Sequence, residues 1–84
     1  AEMKCLFMRI RKMIRAGQIY KNKNLIYAVT FVGIGFKNKQ QVQAITPRGF
    51  TYGWSYSKAK RYGGELIAEY PTWQEAINSK EFKE

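Results

Sequence analysis

The side chains that most often do acid, base or metal chemistry are nearly missing from these 84 residues. The chain holds no histidine and no aspartate, so its acidic side chains are six glutamates. Catalysis near neutral pH leans on histidine or on paired carboxylates, and metal sites lean on histidine, cysteine and aspartate clusters. Cys5 has no histidine to activate it and is expected to be a small packing residue. The composition therefore predicts a protein that is not an enzyme and has no metal site and no cofactor.

The chemistry that the sequence does offer is a combination of aromatic rings and cations between residues 50 and 62. Alternate residues from Phe50 to Tyr56 are aromatic, and a run rich in lysine and arginine follows at once. Rings on a strand face can stack on bases, while neighbouring cations neutralise phosphates. Cations in the preceding turns extend the same patch. The candidate nucleic-acid-binding residues are Arg48, Lys58, Lys60, Arg61, Lys37 and Lys39, with Tyr52 and Tyr56 as stacking partners.

The aromatic stripe from Phe50 to Tyr56 has two readings. The opposite face of the same strand would carry only threonine, glycine and serine. A small domain has few other large side chains with which to fill its interior, so the stripe is expected to be core, with Phe50 and Trp54 inside. In the alternative, the stripe is a partly exposed platform on which Tyr52 or Tyr56 can be reached.

The positive charge of the chain is unevenly distributed. The net charge is +9: residues 1–24 hold seven lysines or arginines against one glutamate, and residues 25–63 hold six and no acid. Residues 64–84 hold two against five glutamates. A basic body with an acidic tail favours a polyanionic partner, nucleic acid first and an anionic membrane surface or acidic protein next. The alternative is that the charge only keeps an aromatic-rich protein in solution.

Most of the chain has the pattern of short antiparallel strands. Residues 25–36, 42–46 and 50–56 are dense in β-branched and aromatic side chains, which suit a pleated surface better than a helix. Polar turns separate them, one with asparagines suited to left-handed backbone and one with a Pro-x-Gly reversal. Shorter strands are expected at residues 18–20 and 65–70. These strands predict a small barrel core over residues 18–70, bent or bulged at Gly33 and Gly35.

Two helical segments are expected within and after this core. Ser57 can cap one helical turn that stops at Gly63 and Gly64. Thr72 and Glu75 form a capping box, which predicts a helix over residues 72–82. The apolar side of that helix is expected to dock as a lid over the barrel.

The N-terminal segment, residues 1–15, is basic and amphipathic. Its large apolar residues recur at three- and four-residue steps, which favours a helix closed by Gly17 as its C-cap. The alternation of Leu6, Met8 and Ile10 with other residues leaves a strand as the alternative. The segment is expected to pack on the barrel, and if it does not, to form a homodimer; a membrane surface or a partner's groove is a further use.

Length and cysteine content bound the organisation and the compartment. A chain of 84 residues makes one small core, so residues 1–84 are expected to be a single domain. One cysteine cannot form an internal disulfide, which favours the reducing cytoplasm. No apolar run approaches the roughly 18 residues needed to span a bilayer. The sequence predicts a soluble cytoplasmic protein without a membrane span.

Two stretches resemble known proteins. Residues 64–82, GELIAEYPTWQEAINSKEF, resemble the C-terminal ends of small uncharacterised proteins encoded by phages and prophages of Gram-positive bacteria. The AGQIY of residues 16–20 is similar to the first strand of SH3-like barrels, where Gly-Gln-x-Tyr entries are common. The resemblance implies a mobile-element origin and carries no active site across. The expected fold is α+β: an SH3-like, strongly bent antiparallel sheet or barrel of about five strands with a C-terminal helix, and an N-terminal helix if residues 1–15 are helical.

These observations predict a non-enzymatic, phage-type accessory protein in the host cytoplasm that binds nucleic acid, DNA or RNA, without sequence preference. The prediction depends on the cations of the early chain sharing one electropositive side of the fold. An alternative is a protein-interaction module that binds or inhibits a host protein. A third reading is a structural component of a virion.

Overall fold

The computed structural model describes residues 13–35 and 39–83 and folds them into one antiparallel sheet with two short helices. The elements are β1 (Gln18–Asn22), β2 (Leu25–Ile34), β3 (Gln40–Ile45), β4 (Thr51–Ser55), α1 (Tyr56–Tyr62), β5 (Glu65–Glu69) and α2 (Trp73–Ile77). The five strands lie in the order β4-β3-β2-β1-β5. The prediction of an α+β protein with about five antiparallel strands and a C-terminal helix is confirmed.

The edges of the sheet are β4 and β5, each of which pairs with one neighbour in the described part of the chain. The sheet is therefore not closed on itself within residues 13–35 and 39–83. Ser55, at the end of β4, lies opposite Gln41 near the start of β3, whereas Glu65, at the start of β5, lies opposite Lys21 near the end of β1. The two positions lie on opposite edges and at opposite ends of the sheet. The connection through α1 must therefore cross one sheet face from edge to edge.

Apolar side chains pack on both faces of the sheet, as alternation along each strand requires. The face that α1 covers, here called the α1 face, has a core of Ile14, Tyr20, Tyr27, Val29, Val42, Ala44 and Ala59. The other face, here called the α2 face, has a smaller core of Ile19, Ala28 and Ala76, against which Ile77 and Phe82 pack. The two helices thus lie on opposite sides of one sheet.

Two tight turns set the strand pairing. The turn between β1 and β2 has only two loop residues, and Lys23 takes the left-handed backbone with φ 60°. The expectation that an asparagine would take this conformation is wrong, because a two-residue loop places the positive φ according to loop position. The Pro47–Gly49 reversal is confirmed: the Gly49 amide donates to the Thr46 carbonyl at 2.9 Å, and Gly49 has φ 91°.

The irregularities in strand pairing do not lie at Gly33 and Gly35, where the sequence predicted bends or bulges. The pairing register shifts at two places, where Thr30 is an extra residue in β2 and Ile67 is an extra residue in β5. Gly33 instead keeps regular pairing with Gln41. An extra residue in one strand bends a sheet whatever its side chain, so the glycine pattern was not a reliable marker. The predicted strand end at Phe36 lies outside the described residues.

The chain enters β1 through an irregular segment, residues 13–15, and not through a helix that ends at Gly17. Gln18, which is 0% exposed, organises this entry. Its Oε1 accepts from the Arg15 amide at 3.0 Å and from the Tyr20 hydroxyl at 2.7 Å, and its Nε2 donates to the Met13 carbonyl at 2.9 Å and to Glu69 Oε2 at 3.1 Å. Four bonds satisfy the whole amide and tie residues 13–15 to the start of β1. Of the helix or strand predicted over Met3 to Ile14, residues 3–12 lie outside the described residues, and so does the surface predicted to form a homodimer.

Half of the predicted capping box before α2 is present: Thr72 caps the helix, whereas the Glu75 carboxylate contacts the Thr72 hydroxyl and not a backbone amide. The Thr72 hydroxyl accepts from the Glu75 amide at 3.2 Å, and Glu75 Oε2 lies 3.4 Å from the same hydroxyl. The helix itself is shorter than predicted, because it ends at Ile77 and residues 78–82 continue as turns. Both helices are short, and no helix in the described ranges is long and apolar enough to cross a membrane.

Candidate nucleic-acid interface

The basic run of the sequence forms α1, which begins directly where β4 ends. Ser55 is its N-cap, because the Ser55 hydroxyl accepts from the Lys58 amide at 3.3 Å. The prediction that Ser57 caps the helix is therefore wrong, and Tyr56 belongs to the helix and not to the strand. The C-terminal end is as predicted, since the Gly63 amide donates to the Ala59 carbonyl at 2.8 Å.

The helix is held against the sheet from below and at its C-terminal end. Ala59 is its buried residue and packs into the core of the α1 face. The Tyr27 hydroxyl donates to the Gly63 carbonyl, and Asn22 Nδ2 donates to the Tyr62 carbonyl at 2.7 Å. Gly64 has φ 92° and approaches so closely that a Cβ would lie 2.3 Å from the Lys21 carbonyl oxygen. These contacts fix the orientation of α1, and so the side that it turns to solvent.

The solvent side of α1 carries three cations in seven residues and no acid. Lys58, Lys60 and Arg61 are all exposed, and none of them forms an ion pair with any described residue. Lys58 and Arg61 are three residues apart and so share one side of the helix. With Ser57 and Tyr62 they line a shallow depression. The structure therefore brings together three of the predicted cations.

The aromatic residues from Phe50 to Trp54, along and just before β4, range from exposed to half-buried. Phe50 is 62% exposed, so the prediction that it lies inside is wrong; it precedes β4 at the corner with the Pro47–Gly49 turn. Tyr52 is 39% exposed and stacks on half-buried Trp54, with ring centroids 5.5 Å apart and an interplanar angle of 5°. Trp54 in turn meets Tyr27 at 5.2 Å. The stripe is therefore core at Trp54 and surface at its other end.

Tyr56 has a structural role. Its ring packs against the core of the α1 face, and its hydroxyl accepts from the Ile14 amide at 3.0 Å. Tyr56 thus joins α1 to the entry segment, which leaves Tyr52 as the more exposed of the two predicted stacking residues. Burial, together with the neighbouring Tyr56 and Glu69, raises the pKa of Tyr20 to about 12.

Of the other predicted cations, Arg48 lies apart from α1, Lys39 lies near its start, and Lys37 is not among the described residues. Arg48 is in the β3–β4 turn, at the far end of β4 from the cap of α1, a separation of about 16 Å along a five-residue strand. Lys39 is just before β3, at the end of the sheet where α1 begins. Lys37 lies outside the described residues. The predicted patch is therefore divided between α1 and two sheet corners.

Two cations that the sequence did not favour approach the C-terminal end of α1. Lys21 and Lys23 belong to the β1–β2 hairpin, whose Asn22 side chain binds the Tyr62 carbonyl. Glu65 faces Lys21 across the β1–β5 pairing, which offsets part of that charge. The charge alone could not reveal this neighbourhood, because it depends on the order of the strands.

Apart from Glu65, which follows the C-terminal end of α1, the glutamates of the described tail have partners away from this helix. Glu69 pairs with Arg15 at 3.3 Å, and Glu75 lies in the first turn of α2. Glu81 accepts a hydrogen bond from the Tyr70 hydroxyl, which lowers the pKa of the Glu81 carboxyl and raises that of Tyr70. Glu69, Glu75 and Glu81 therefore serve the entry segment and the α2 face, and α1 itself contains no acidic residue.

Comparison with protein-family models, with curated proteins and with solved structures gave no significant match. The function must therefore be argued from the geometry of this chain. The structure thus presents a cationic helix with an exposed ring, Tyr62, at its C-terminal end. Such a surface can bind phosphates by charge and bases by stacking.

Proposed function

We propose that this chain is a non-enzymatic accessory protein of phage type that binds nucleic acid without sequence preference through the solvent side of α1. The observation that carries the proposal is the cationic run Lys58, Lys60 and Arg61, exposed on one short helix without an ion-pair partner among the described residues. Cations that only keep a protein soluble need not cluster on one helix without acids between them. Cations that bind phosphates are best placed in this way.

The expected binding mode is neutralisation of phosphates with release of counterions. Each phosphate contact contributes about 0.7 to the slope of log affinity against log salt for a single strand, and about 0.9 for a duplex. Three contacts by the α1 cations predict a slope of about −2 to −3. Such contacts position the nucleic acid and do not read its sequence.

We also propose that this five-stranded sheet is bent into an SH3-like barrel. Bulges in β2 and β5 support a strongly bent sheet, and the crossing of α1 from edge to edge covers the concave side that such a bend would make. The phage origin and the cytoplasmic location that we propose rest on the resemblance of residues 16–20 and 64–82 and on the single cysteine.

Fluorescence anisotropy with labelled oligonucleotides at two salt concentrations, 50 mM and 200 mM, tests the proposal. The variant Lys58→Glu with Arg61→Glu should lose most of the affinity. The matched control is Lys80→Glu with Lys83→Glu, which makes the same charge change at two exposed residues beyond α2. The control should bind nearly as the parent protein does, with a similar salt slope.

Two results would contradict the proposal. One is the absence of binding by the parent protein at 50 mM salt, where phosphate contacts are strongest. The other is an equal loss of affinity in both double variants, because the effect would then come from net charge and not from α1.

A protein-interaction module is the second candidate function, and the exposed end of β4 favours it. Phe50 and Tyr52 leave apolar surface on an edge strand, where another chain can add a strand. Capture of host proteins from a nuclease-treated lysate, compared between the parent protein and Phe50→Ser, tests this candidate. Partners that survive nuclease and are lost in the variant would support it; partners that disappear with nuclease alone would contradict it.

A further inference from the structure

We infer that the solvent side of α1 binds single-stranded nucleic acid in preference to duplex, with Tyr62 and Arg61 as a stacking surface for a base and Lys58 as a phosphate contact. This inference rests on the proposed function and names its substrate class. The residue that carries it is Tyr62, which the sequence pattern did not single out as a binding residue.

Tyr62 is an aromatic side chain without a role in either core. Its ring is 60% exposed and belongs to neither apolar cluster. Its backbone, in contrast, is held by the bond from Asn22 Nδ2 to its carbonyl oxygen. An exposed tyrosine on a fixed backbone offers a large contact area at a low cost in conformational entropy.

The ring of Tyr62 already has a planar cation beside it. The guanidinium carbon of Arg61 lies over the Tyr62 ring, 5.9 Å from its centroid. Both groups are flat, and both kinds of group stack on bases in single-stranded nucleic acid. They therefore form a stacking surface that is in place before a ligand binds.

Lys58, the phosphate contact of this inference, lines the same depression as Arg61 and Tyr62. Lys58 and Arg61 border a depression of about 210 Å³, which also includes Ser57 and Tyr62. This volume is several times the share of one water molecule, about 30 Å³. A nucleotide whose base lies on Tyr62 and Arg61 would thus bring its phosphate close to the Lys58 ammonium.

The Tyr62 ring is the group that would discriminate between single-stranded and duplex nucleic acid. Charge alone gives duplex the advantage, because duplex carries more phosphates per length and releases more counterions. Bases inside a duplex are stacked on one another and cannot offer a face to Tyr62, whereas unpaired bases can. A preference for single strands would therefore be the signature of stacking at this position.

The test compares labelled single strands of about 10 nucleotides, DNA and RNA, with the matching duplexes in fluorescence anisotropy. Tyr62→Leu keeps an apolar side chain and removes the ring, and should weaken single-strand binding about 5- to 140-fold with little change for duplex. Tyr62→Phe keeps the ring and should bind as the parent does. Arg61→Lys keeps the charge, loses the plane, and should weaken single-strand binding more than duplex binding. Thermal unfolding of each variant checks that the fold is retained.

The outcomes separate this inference from the proposed function. If Tyr62→Leu binds single strands as tightly as the parent, or if the parent prefers duplex, the inference is wrong. Sensitivity to Lys58→Glu with Arg61→Glu would then still support binding by charge. If the parent binds neither strand type at 50 mM salt, the proposed function is wrong and the inference falls with it.

Discussion

The two helices of the described residues both begin with a hydroxyl cap, and they carry opposite charges three positions after it. In α2 the cap is Thr72, and the residue three positions later is Glu75. In α1 the cap is Ser55, and the residue three positions later is Lys58. Both caps accept from the backbone amide of that third residue, and both helices dock through one buried alanine, Ala59 or Ala76.

The residue that differs has opposite effects on helix stability. A carboxylate in the first turn interacts favourably with the helix dipole and completes a capping box, whereas a cation there does neither. Glu75 therefore follows the rule for a stable helix start, and Lys58 breaks it. Local rules are often broken where a residue has a function, and this break lies at the proposed phosphate contact.

The largest effect that we expect comes from the anchor that only α1 possesses. Tyr27 is buried, meets Tyr20 and Trp54, and donates its hydroxyl to the Gly63 carbonyl at the end of α1. Tyr27→Ala should lower the free energy of unfolding by about 3–5 kcal/mol, because it leaves a cavity beneath the helix. Urea unfolding measures the loss.

A milder variant distinguishes the ring from the hydroxyl. Tyr27→Phe keeps the ring contacts and removes the bond to Gly63, and should cost about 1–3 kcal/mol. Amide exchange in that variant should rise in α1 and not in α2. Equal exchange in both helices, or a Tyr27→Ala loss no larger than that of Tyr27→Phe, would contradict the role of Tyr27 as the anchor of α1.

Local chemistry in the sequence was enough to predict some elements of the fold. The Thr72 cap of α2 and the Pro47–Gly49 reversal depend on neighbours within four residues, and both are present. The start of α1 was not predictable in this way. Ser55 and Ser57 are both suitable caps. In the structure, where α1 begins after Ser55, the Tyr56 hydroxyl accepts from the Ile14 amide, and this contact joins residues 42 positions apart in the sequence.

The candidate site was predictable only where its residues are adjacent in sequence. Lys58, Lys60 and Arg61 lie on one helix, so a short basic run was sufficient to find them. Arg48 looked close in sequence, but a whole strand separates it from the helix. Lys21 and Lys23 looked distant, but the strand order places their hairpin against the end of α1.

Exchanging the residue that differs between the helices should have the next largest effect. Lys58→Glu would give α1 the Ser-x-x-Glu capping box and should raise the free energy of unfolding by about 0.5–1 kcal/mol. Glu75→Lys would remove that arrangement from α2 and should lower it by a similar amount. Thermal or urea unfolding of both variants measures these changes.

The same exchange links stability to binding. Lys58→Glu should bind oligonucleotides more weakly although it is more stable, whereas Glu75→Lys should be less stable and bind no more weakly. Lys58→Ala is the control that removes the cation without adding a carboxylate. A Lys58→Glu protein that is both less stable and weaker in binding would remove the evidence that α1 trades local stability for a cation.

The smallest effect that we expect is a response to acid confined to the α2 face. The hydrogen bond from the Tyr70 hydroxyl lowers the pKa of Glu81, so this contact stabilises the fold above the ordinary glutamate pKa. The stabilisation should be lost as the pH falls through the lowered value, because the protonated carboxyl no longer favours the bond. Amide shifts near Phe82, which packs on the α2 face, should therefore titrate in NMR spectra below the usual glutamate range. Glu81→Gln should abolish that titration. The amides of α1 should not shift in this pH range in either the parent protein or the variant. A matching acid response in α1 would show that the two faces are not independent.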